Sequence, residues 1–209
     1  MKNSRFSRIN EVLTVIIDLI YIGVLWLLCS VPLVTLGASS TALYYAVVKC
    51  IRHDRGGLTS TFFQGFRRNF RQATLLWLIC LGVILLGLGD VYAFSQMGVR
   101  AGELLYVLSR LLLLPVPLLF PWIFAFLSRF ENTVAGTLRF AFWLAVKYAG
   151  KSVLLLLELT AGLVIAWLLP QIAPLLPGVL CLLMSYAIEP ALRKLAEGQG
   201  TAEDWYNEP

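Results

Sequence analysis

Residues 12–31 read VLTVIIDLIYIGVLWLLCSV, and they carry one ionisable side chain, Asp18. A helix that crosses the hydrocarbon core of a bilayer needs about 20 mainly apolar residues, so this stretch predicts a transmembrane helix. The rest of the chain agrees, because 59% of its 209 residues are hydrophobic, only 14% are charged, and the mean hydropathy is +0.79. A soluble domain carries about 25% charged residues. The composition therefore excludes a soluble domain, a disordered chain and a collagen-like repeat, and it predicts an integral membrane protein.

Further apolar runs predict an all-α, polytopic bundle of transmembrane helices with about six spans. The run 38–51 is short, so five spans are the alternative. The predicted domain is a single transmembrane unit over residues 1–191, followed by a polar cytoplasmic tail over 192–209. The predicted spans are Val12–Val31, Ala38–Ile51, Ala73–Phe94, Leu104–Leu127, Val153–Leu169 and Leu175–Ile188.

The basic residues favour six spans. Cytoplasmic segments of membrane proteins are rich in Lys and Arg. With six spans, nearly all of them fall in the N-terminus, the segment 49–71, the segment 129–151 and the stretch after the last span. Both termini are then cytoplasmic, and a multi-pass protein of the cell membrane is predicted. The net charge of +5 is read as a signal of topology. A nucleic-acid partner is not expected, because the Arg residues flank apolar spans.

Proline is concentrated in the fourth predicted span, which contains LLLLPVPLLFPWIF. Each proline removes a backbone donor and clashes with the preceding turn, so we expect this helix to be kinked or broken near Pro115, Pro117 and Pro121. A broken helix in a transporter often builds a substrate site. A simple proline kink, common in transmembrane helices, is the structural alternative.

The segment 59–71, TSTFFQGFRRNFR, alternates aromatic and basic side chains at helical spacing. This pattern predicts an amphipathic helix in the cytoplasmic interface, with the rings buried and the guanidinium groups near anionic head groups. The alternative is a surface on which a cytoplasmic partner docks. Residues 132–147 predict a weaker helix of the same kind. The residues of the first surface are Phe62, Phe63, Phe66, Phe70, Arg67, Arg68 and Arg71.

Ionisable residues inside a membrane are costly and mark candidate sites. Asp18, Arg110 and Glu158 lie within predicted spans. Glu158 is the strongest candidate for coupling to a proton or ligand, because a short carboxylate cannot reach the interface as Arg and Lys do. Lys151 lies seven residues earlier, on about the same helical face, and is its predicted partner. A buried pair that only fixes helix packing is the structural alternative.

The residues offer little for catalysis. His53 is the single histidine, the four cysteines are scattered through apolar segments, and no phosphate-binding, zinc-protease or serine-hydrolase motif occurs. We therefore predict that the chain is not an enzyme and holds neither a cofactor nor a metal.

Two stretches, VPLVTLGASSTALYYAVVKCIRHDRGG (31–57) and FFQGFRRNFRQATLLW (62–77), closely resemble the YesL family of uncharacterised, mostly Gram-positive bacterial membrane proteins. The resemblance implies a carbohydrate-utilisation context, because such proteins are often encoded beside sugar-importing ABC transporters. It implies no catalytic residue. The residues that carry it are Pro32, Gly37, Ala42, Leu43, Tyr44, Phe66, Asn69, Phe70, Gln72, Ala73 and Thr74.

Two functions follow from this reading. The first is a non-enzymatic accessory or regulatory component of a carbohydrate (ABC-type) uptake system, in contact with the lipid bilayer and with a sugar permease or sensor kinase. The alternative is a small oligomeric transporter or channel that uses the proline-broken fourth span and an intramembrane carboxylate. A path for a sugar through the membrane needs polar side chains, and only a few charged residues lie within the predicted spans. This scarcity favours the accessory role.

Overall fold

The computed structural model describes residues 2–95, 107–108, 110–111, 113 and 115–198. Within these residues the chain forms helices and short connections, and no strand is present. A 3₁₀ turn at Leu33–Thr35 leads into the helix Leu36–Ala46, and a π-helical segment at Val47–Arg52 continues that helix. A second 3₁₀ turn, Pro170–Ile172, precedes the last helix. The helices are α1 (Lys2–Ser30), α2 (Leu36–Ala46), α3 (Leu58–Ser95), α4 (Pro115–Arg129), α5 (Val134–Lys147), α6 (Ala149–Leu168) and α7 (Leu176–Gly198).

Five helical stretches are long and apolar enough to cross a membrane by length and composition. The predicted all-α bundle of transmembrane helices is therefore confirmed. The short second predicted span becomes a helical run of 20 residues once its two flanking turns are included. α4 has 15 residues, and most of the predicted span before it lies outside the described residues. The five stretches are Val12–Ser30, Leu33–Arg52, Leu58–Gly89, Ala149–Leu168 and Leu176–Gly198.

α2 lies at the centre of the bundle. Of an 18-residue stretch within Leu33–Arg52, 67% is buried, against 17% of the corresponding stretch of Val12–Ser30. Gly37 permits this packing, since a Cβ atom there would lie 2.5 Å from the carbonyl oxygen of Ala73 and 2.7 Å from Cβ of Trp77. The indole nitrogen of Trp77 donates to the carbonyl of Leu33 at 2.7 Å, which closes the same end of the α2–α3 contact.

The predicted interfacial helix at 59–71 is not a separate element. α3 runs without interruption from Leu58 to Ser95, so the amphipathic segment and the following span form one helix of 38 residues. Phe62 is fully buried, and Gly65 on the same face approaches Tyr45 of α2. This part of the apolar stripe therefore packs on protein rather than on lipid. Spacing alone could not distinguish the two, because an amphipathic helix needs only an apolar surface to cover its stripe.

The described part of the fourth predicted span shows no break at Pro117 or Pro121, whereas Pro115 is the first residue of the described helix, so a break there falls at the edge of the described residues. α4 is continuous from Pro115 to Arg129 and contains Pro117 and Pro121. Pro121 removes one donor from the helical ladder, and the carbonyl left without it belongs to Pro117, four residues earlier. The residues from Pro121 to Ser128 are buried, and such packing tolerates the loss of one hydrogen bond.

α7 continues beyond the end of the predicted transmembrane domain. The helix reaches Gly198, and Leu192 and Ala196 are buried with no exposed surface. The boundary placed between 191 and 192 therefore lies inside a packed helix. Residues 199–209 lie outside the described part of the chain.

Candidate functional site

Three basic side chains from different helices meet the second half of α7. Arg52 ends the π-helical segment after α2, Arg129 ends α4, and Lys151 lies in the first turn of α6. With Tyr44 and Glu189 they form what we call the α7 network. The network gathers segments that the basic-residue pattern predicts to lie on one side of the membrane.

Glu189 is the acidic centre of the α7 network. Arg129 Nη1 lies 3.0 Å from one carboxylate oxygen, and the Tyr44 hydroxyl donates to the other at 3.0 Å. The side chains of Arg129 and Glu189 are only 7% and 11% exposed. A buried ion pair gains little over an apolar pair, yet losing one partner leaves a desolvated charge. Glu189 and Arg129 therefore fix how α4 and α7 pack.

Arg52 and Lys151 bind backbone carbonyls in the turn that precedes Pro190. A proline in a helix has no N–H for the preceding turn and displaces the carbonyls of that turn. Arg52 Nη1 donates to the Ser185 carbonyl at 2.9 Å, and Lys151 Nζ donates to the Ala187 carbonyl at 2.9 Å. Pro190 leaves the carbonyl of Tyr186, four residues earlier, without its usual donor, and the two bonds fall on the carbonyls to either side of it. The two cations thus anchor α2 and α6 on the proline turn of α7.

The π-helical segment that follows α2 positions Arg52 for this role. One π-type turn re-aims the side chains that follow it, and such turns are frequent at functional sites. The Arg52 guanidinium lies 4.6 Å from the centre of the Tyr186 ring, in addition to its bond to Ser185. Lys49, in the same segment, is buried with its Nζ 3.4 Å from the Tyr45 hydroxyl.

A cavity of about 280 Å³ lies beside the network, between α1, α2, α4, α6 and α7. None of the described residues that line it is charged. Two of its hydroxyls are already engaged, since Ser40 accepts from the Trp26 indole at 3.2 Å and Tyr44 donates to Glu189. A site for a polar solute needs convergent free polar groups, so this cavity suits an apolar occupant.

The predicted charge sites behave differently from one another. Lys151 belongs to the α7 network, so the predicted pair of Lys151 with Glu158 is not formed. Glu158 keeps one buried carboxylate oxygen, Oε2, with no hydrogen-bond partner among the described residues. Asp18 is half-buried on α1 and forms no salt bridge within the described part of the chain. Arg110 is exposed.

The predicted docking surface is divided by the packing of α3. Phe62 and Phe66 turn towards the core, whereas Phe63 and Phe70 are each 38% exposed. Arg68 pairs with Glu131 at 2.7 Å. Arg67 and Arg71 are exposed and form no salt bridge with a described residue. We call Phe63, Arg67, Phe70 and Arg71 the basic face of α3.

Glu189, Tyr44, Arg52 and Arg129 were missed as site residues from the sequence. The last predicted span ended at Ile188, one residue before Glu189. A carboxylate directly before a proline in an apolar helix is a usable signal, because ionisable residues at depth need a partner. Its partner was not readable, since Arg129 lies 60 residues away. Among the described residues no group of three His, Cys, Asp or Glu side chains could hold a metal ion.

The fold and the α7 network define an α-helical membrane bundle with several candidate spans. Residues 19–91, from within α1 through most of α3, match the model of a family described as a protein of unknown function, DUF624. No curated protein and no solved structure matches the chain. The matched region contains the α2–α3 packing and the basic face of α3.

Proposed function

We propose that the chain is a YesL-like, non-enzymatic accessory or regulatory component of a carbohydrate (ABC-type) uptake system in the bacterial cell membrane. The match to DUF624 is consistent with the YesL resemblance. The residues that carry the resemblance have structural tasks: Gly37 lets α2 approach Ala73, and Gln72 donates to the Asn132 carbonyl at 2.6 Å. The link to sugar uptake rests on the resemblance alone.

The observation that carries an accessory role is the basic face of α3. This face belongs to a helix packed on the buried centre of the bundle, since Gly65 lies against Tyr45. Arg67 and Arg71 are nevertheless exposed, beside two rings that are each 38% exposed. Guanidinium groups are costly in hydrocarbon, so the face needs a polar neighbour, and an acidic protein surface is one that would pair with its charge. Aromatic and Arg side chains are also enriched at protein interfaces, and an acidic surface of a permease or sensor kinase fits.

The cavity supports the accessory role over sugar transport. A sugar carries several hydroxyl groups, and burying them without hydrogen bonds is unfavourable. The described cavity walls present no charged residue, and Tyr44 and Ser40 already have partners. The described walls of this cavity therefore offer no free polar groups along which a sugar could pass.

The second candidate is a small oligomeric transporter or channel built around an intramembrane carboxylate. Buried Oε2 of Glu158, without a partner in the described residues, favours it. Protein reconstituted in liposomes would then move a solute or protons, and Glu158→Gln would stop the flux. Equal flux through Glu158→Gln and the unmodified protein would exclude this mechanism.

The meeting of basic helix ends in the α7 network supports the placement of both termini on one side of the membrane. Arg52, Arg129 and Lys151 come from segments that the Lys and Arg bias predicts to be cytoplasmic. We propose that both termini are cytoplasmic.

Affinity purification from a native host into nanodiscs, followed by mass spectrometry, tests the accessory role. We expect stoichiometric recovery of a permease or kinase with the unmodified chain. Arg67→Gln/Arg71→Gln and Phe70→Asp should lose that partner while membrane insertion persists. Arg139→Gln/Arg193→Gln is the matched control, because it removes two exposed charges elsewhere. Unchanged recovery with the α3 variants would refute docking through this face.

A further inference from the structure

A second cavity, of about 220 Å³, lies between the α5–α6 junction and the end of α7. It is separate from the apolar cavity and shares no lining residue with it. Two lysines, one from each side, line it together with two aromatic rings. Its lining residues are Trp143, Lys147, Tyr148, Ala191, Lys194, Leu195 and Gly198.

The positive charge of this cavity is not neutralised by described protein groups. Lys147 and Lys194 form no salt bridge with a described residue. The nearest acidic residue in the α7 sequence, Glu197, pairs with Arg193 at 3.3 Å. Lys147 Nζ lies 4.2 Å from the centre of the Trp143 ring, and a cation held over an indole face keeps a defined position. The wall of the cavity therefore carries two lysines that form no salt bridge with a described residue.

The surface beside the cavity is apolar. On α5, Phe142 is 57% exposed, Val146 is 62% exposed and Trp143 is 44% exposed. Exposed aromatic and aliphatic side chains on a helix with a basic end are typical of contact with the head-group and acyl boundary of a bilayer. Trp143 then stands where the apolar surface meets the two lysines, which is the usual depth of an interfacial tryptophan.

We propose that this cavity binds the phosphate head group of an anionic phospholipid. Lys147 and Lys194 contact the phosphate, and the acyl chains lie along Phe142 and Val146. Basic pockets between helices on the cytoplasmic side are suited to such head groups. The lipid would join α5 to the end of α7 next to the α7 network. Because this site shares no residue with the basic face of α3, it stands independently of the proposed docking role.

Lipid binding to the purified full chain in detergent tests the proposal. The probes are phosphatidylglycerol, phosphatidylcholine of matched acyl chains, and inorganic phosphate, and the readouts are retained lipid by native mass spectrometry and the shift in Tm. We expect phosphatidylglycerol to be retained and to raise Tm. Phosphatidylcholine and inorganic phosphate should have little effect, and 0.5 M KCl should weaken the binding of phosphatidylglycerol.

Substitution of the two lysines supplies the decisive comparison. Lys147→Gln/Lys194→Gln should weaken phosphatidylglycerol binding by roughly tenfold to thirtyfold. Lys147→Arg/Lys194→Arg should restore it, which separates loss of charge from loss of fold. Arg55→Gln/Arg110→Gln removes the same charge at two exposed positions outside this cavity and outside the basic face of α3, and it should leave the affinity within about twofold. Equal binding by the Gln variant, an equal loss in the Arg55/Arg110 control, or an equal response to phosphatidylcholine or phosphate would overturn the proposal.

Discussion

α1 and α2 are neighbouring candidate spans with opposite surroundings. The stretch in Val12–Ser30 has a mean hydropathy of 2.5 and is 17% buried, whereas the stretch in Leu33–Arg52 has a mean hydropathy of 1.3 and is 67% buried. In a soluble protein the more apolar helix would be the buried one. Here the more apolar helix faces outward, since lipid is as favourable a neighbour for its side chains as protein. In this bundle, the buried helix is the one with small side chains and with polar side chains that have hydrogen-bond partners.

The side chains of α2 show what the central position requires. Gly37 lets the backbone of α2 approach that of α3. The hydroxyls of Ser39 and Thr41 each donate to the carbonyl one turn earlier, at 3.0 Å. Tyr44 reaches Glu189 on α7. Small residues and satisfied hydroxyls are the features by which membrane helices pack closely. On α1, by contrast, Ile17 and Leu28 are more than 60% exposed, at 63% and 64%.

The largest expected effect comes from breaking the ion pair next to α2. Arg129→Met or Glu189→Met alone should cost about 3–5 kcal/mol, because each leaves one buried charge without its counterion. The double variant should recover much of that loss. Equilibrium unfolding in mixed micelles measures the double-mutant cycle. Arg193→Met, which breaks an exposed pair with Glu197, is the control and should cost less than about 1 kcal/mol. Additive losses would show that Arg129 and Glu189 do not act together.

A side chain at Gly37 should have the next largest effect. Gly37→Val places atoms against the Ala73 carbonyl and Trp77, and overpacking of this kind costs about 3 kcal/mol. At Gly82, by contrast, a Cβ atom would meet no described atom within 4 Å. Gly82→Val should therefore change the unfolding free energy by less than about 0.5 kcal/mol. Equal losses at Gly37 and Gly82 would contradict the close α2–α3 contact.

Tyrosine substitutions compare a buried hydroxyl with an exposed one. Tyr44→Phe removes a donor to a buried carboxylate and should cost about 2 kcal/mol. Tyr21→Phe on α1 removes an exposed bond to Thr59, 2.9 Å long, and should cost about 0.5 kcal/mol or less. The same unfolding titration measures both. If Tyr44→Phe were as mild as Tyr21→Phe, the hydroxyl of Tyr44 would not support Glu189.

The smallest expected effect separates the two faces of α1. Ile22 is fully buried and Ile17 is 63% exposed. Ile22→Val should cost about 1 kcal/mol through the missing methyl group, and Ile17→Val should cost close to zero because lipid refills the space. Thermal unfolding in nanodiscs resolves the difference. A larger loss at Ile17 would place protein, rather than lipid, on that face.

The sequence predicts the class and most helices of this bundle because hydropathy and span length are local properties. The apolar run that starts at Val12 illustrates this, since its residues up to Ser30 appear in the structure as part of α1. The fate of an amphipathic stripe is not local: Phe62 and Phe66 suit lipid and protein equally, and only the position of α2 decides between them.

The α7 network could not be predicted from the sequence, because its residues are far apart along the chain. Tyr44 and Glu189 are separated by 145 residues, and Arg129 and Glu189 by 60. A single sequence shows that Lys151 and Glu158 share a helical face, yet Lys151 instead donates to Ala187 on another helix. The Ala187 carbonyl belongs to α7, so the spacing of residues within α6 does not reveal this partner.

Photolabelling from the bilayer tests the contrast between α1 and α2 most directly. The unmodified protein in nanodiscs would be irradiated with phospholipids that carry a diazirine in the acyl chain, and the adducts mapped by mass spectrometry. We expect adducts along residues 12–30 and few or none along 36–46. Labelling of 36–46 as heavy as that of 12–30 would contradict a protein-enclosed α2.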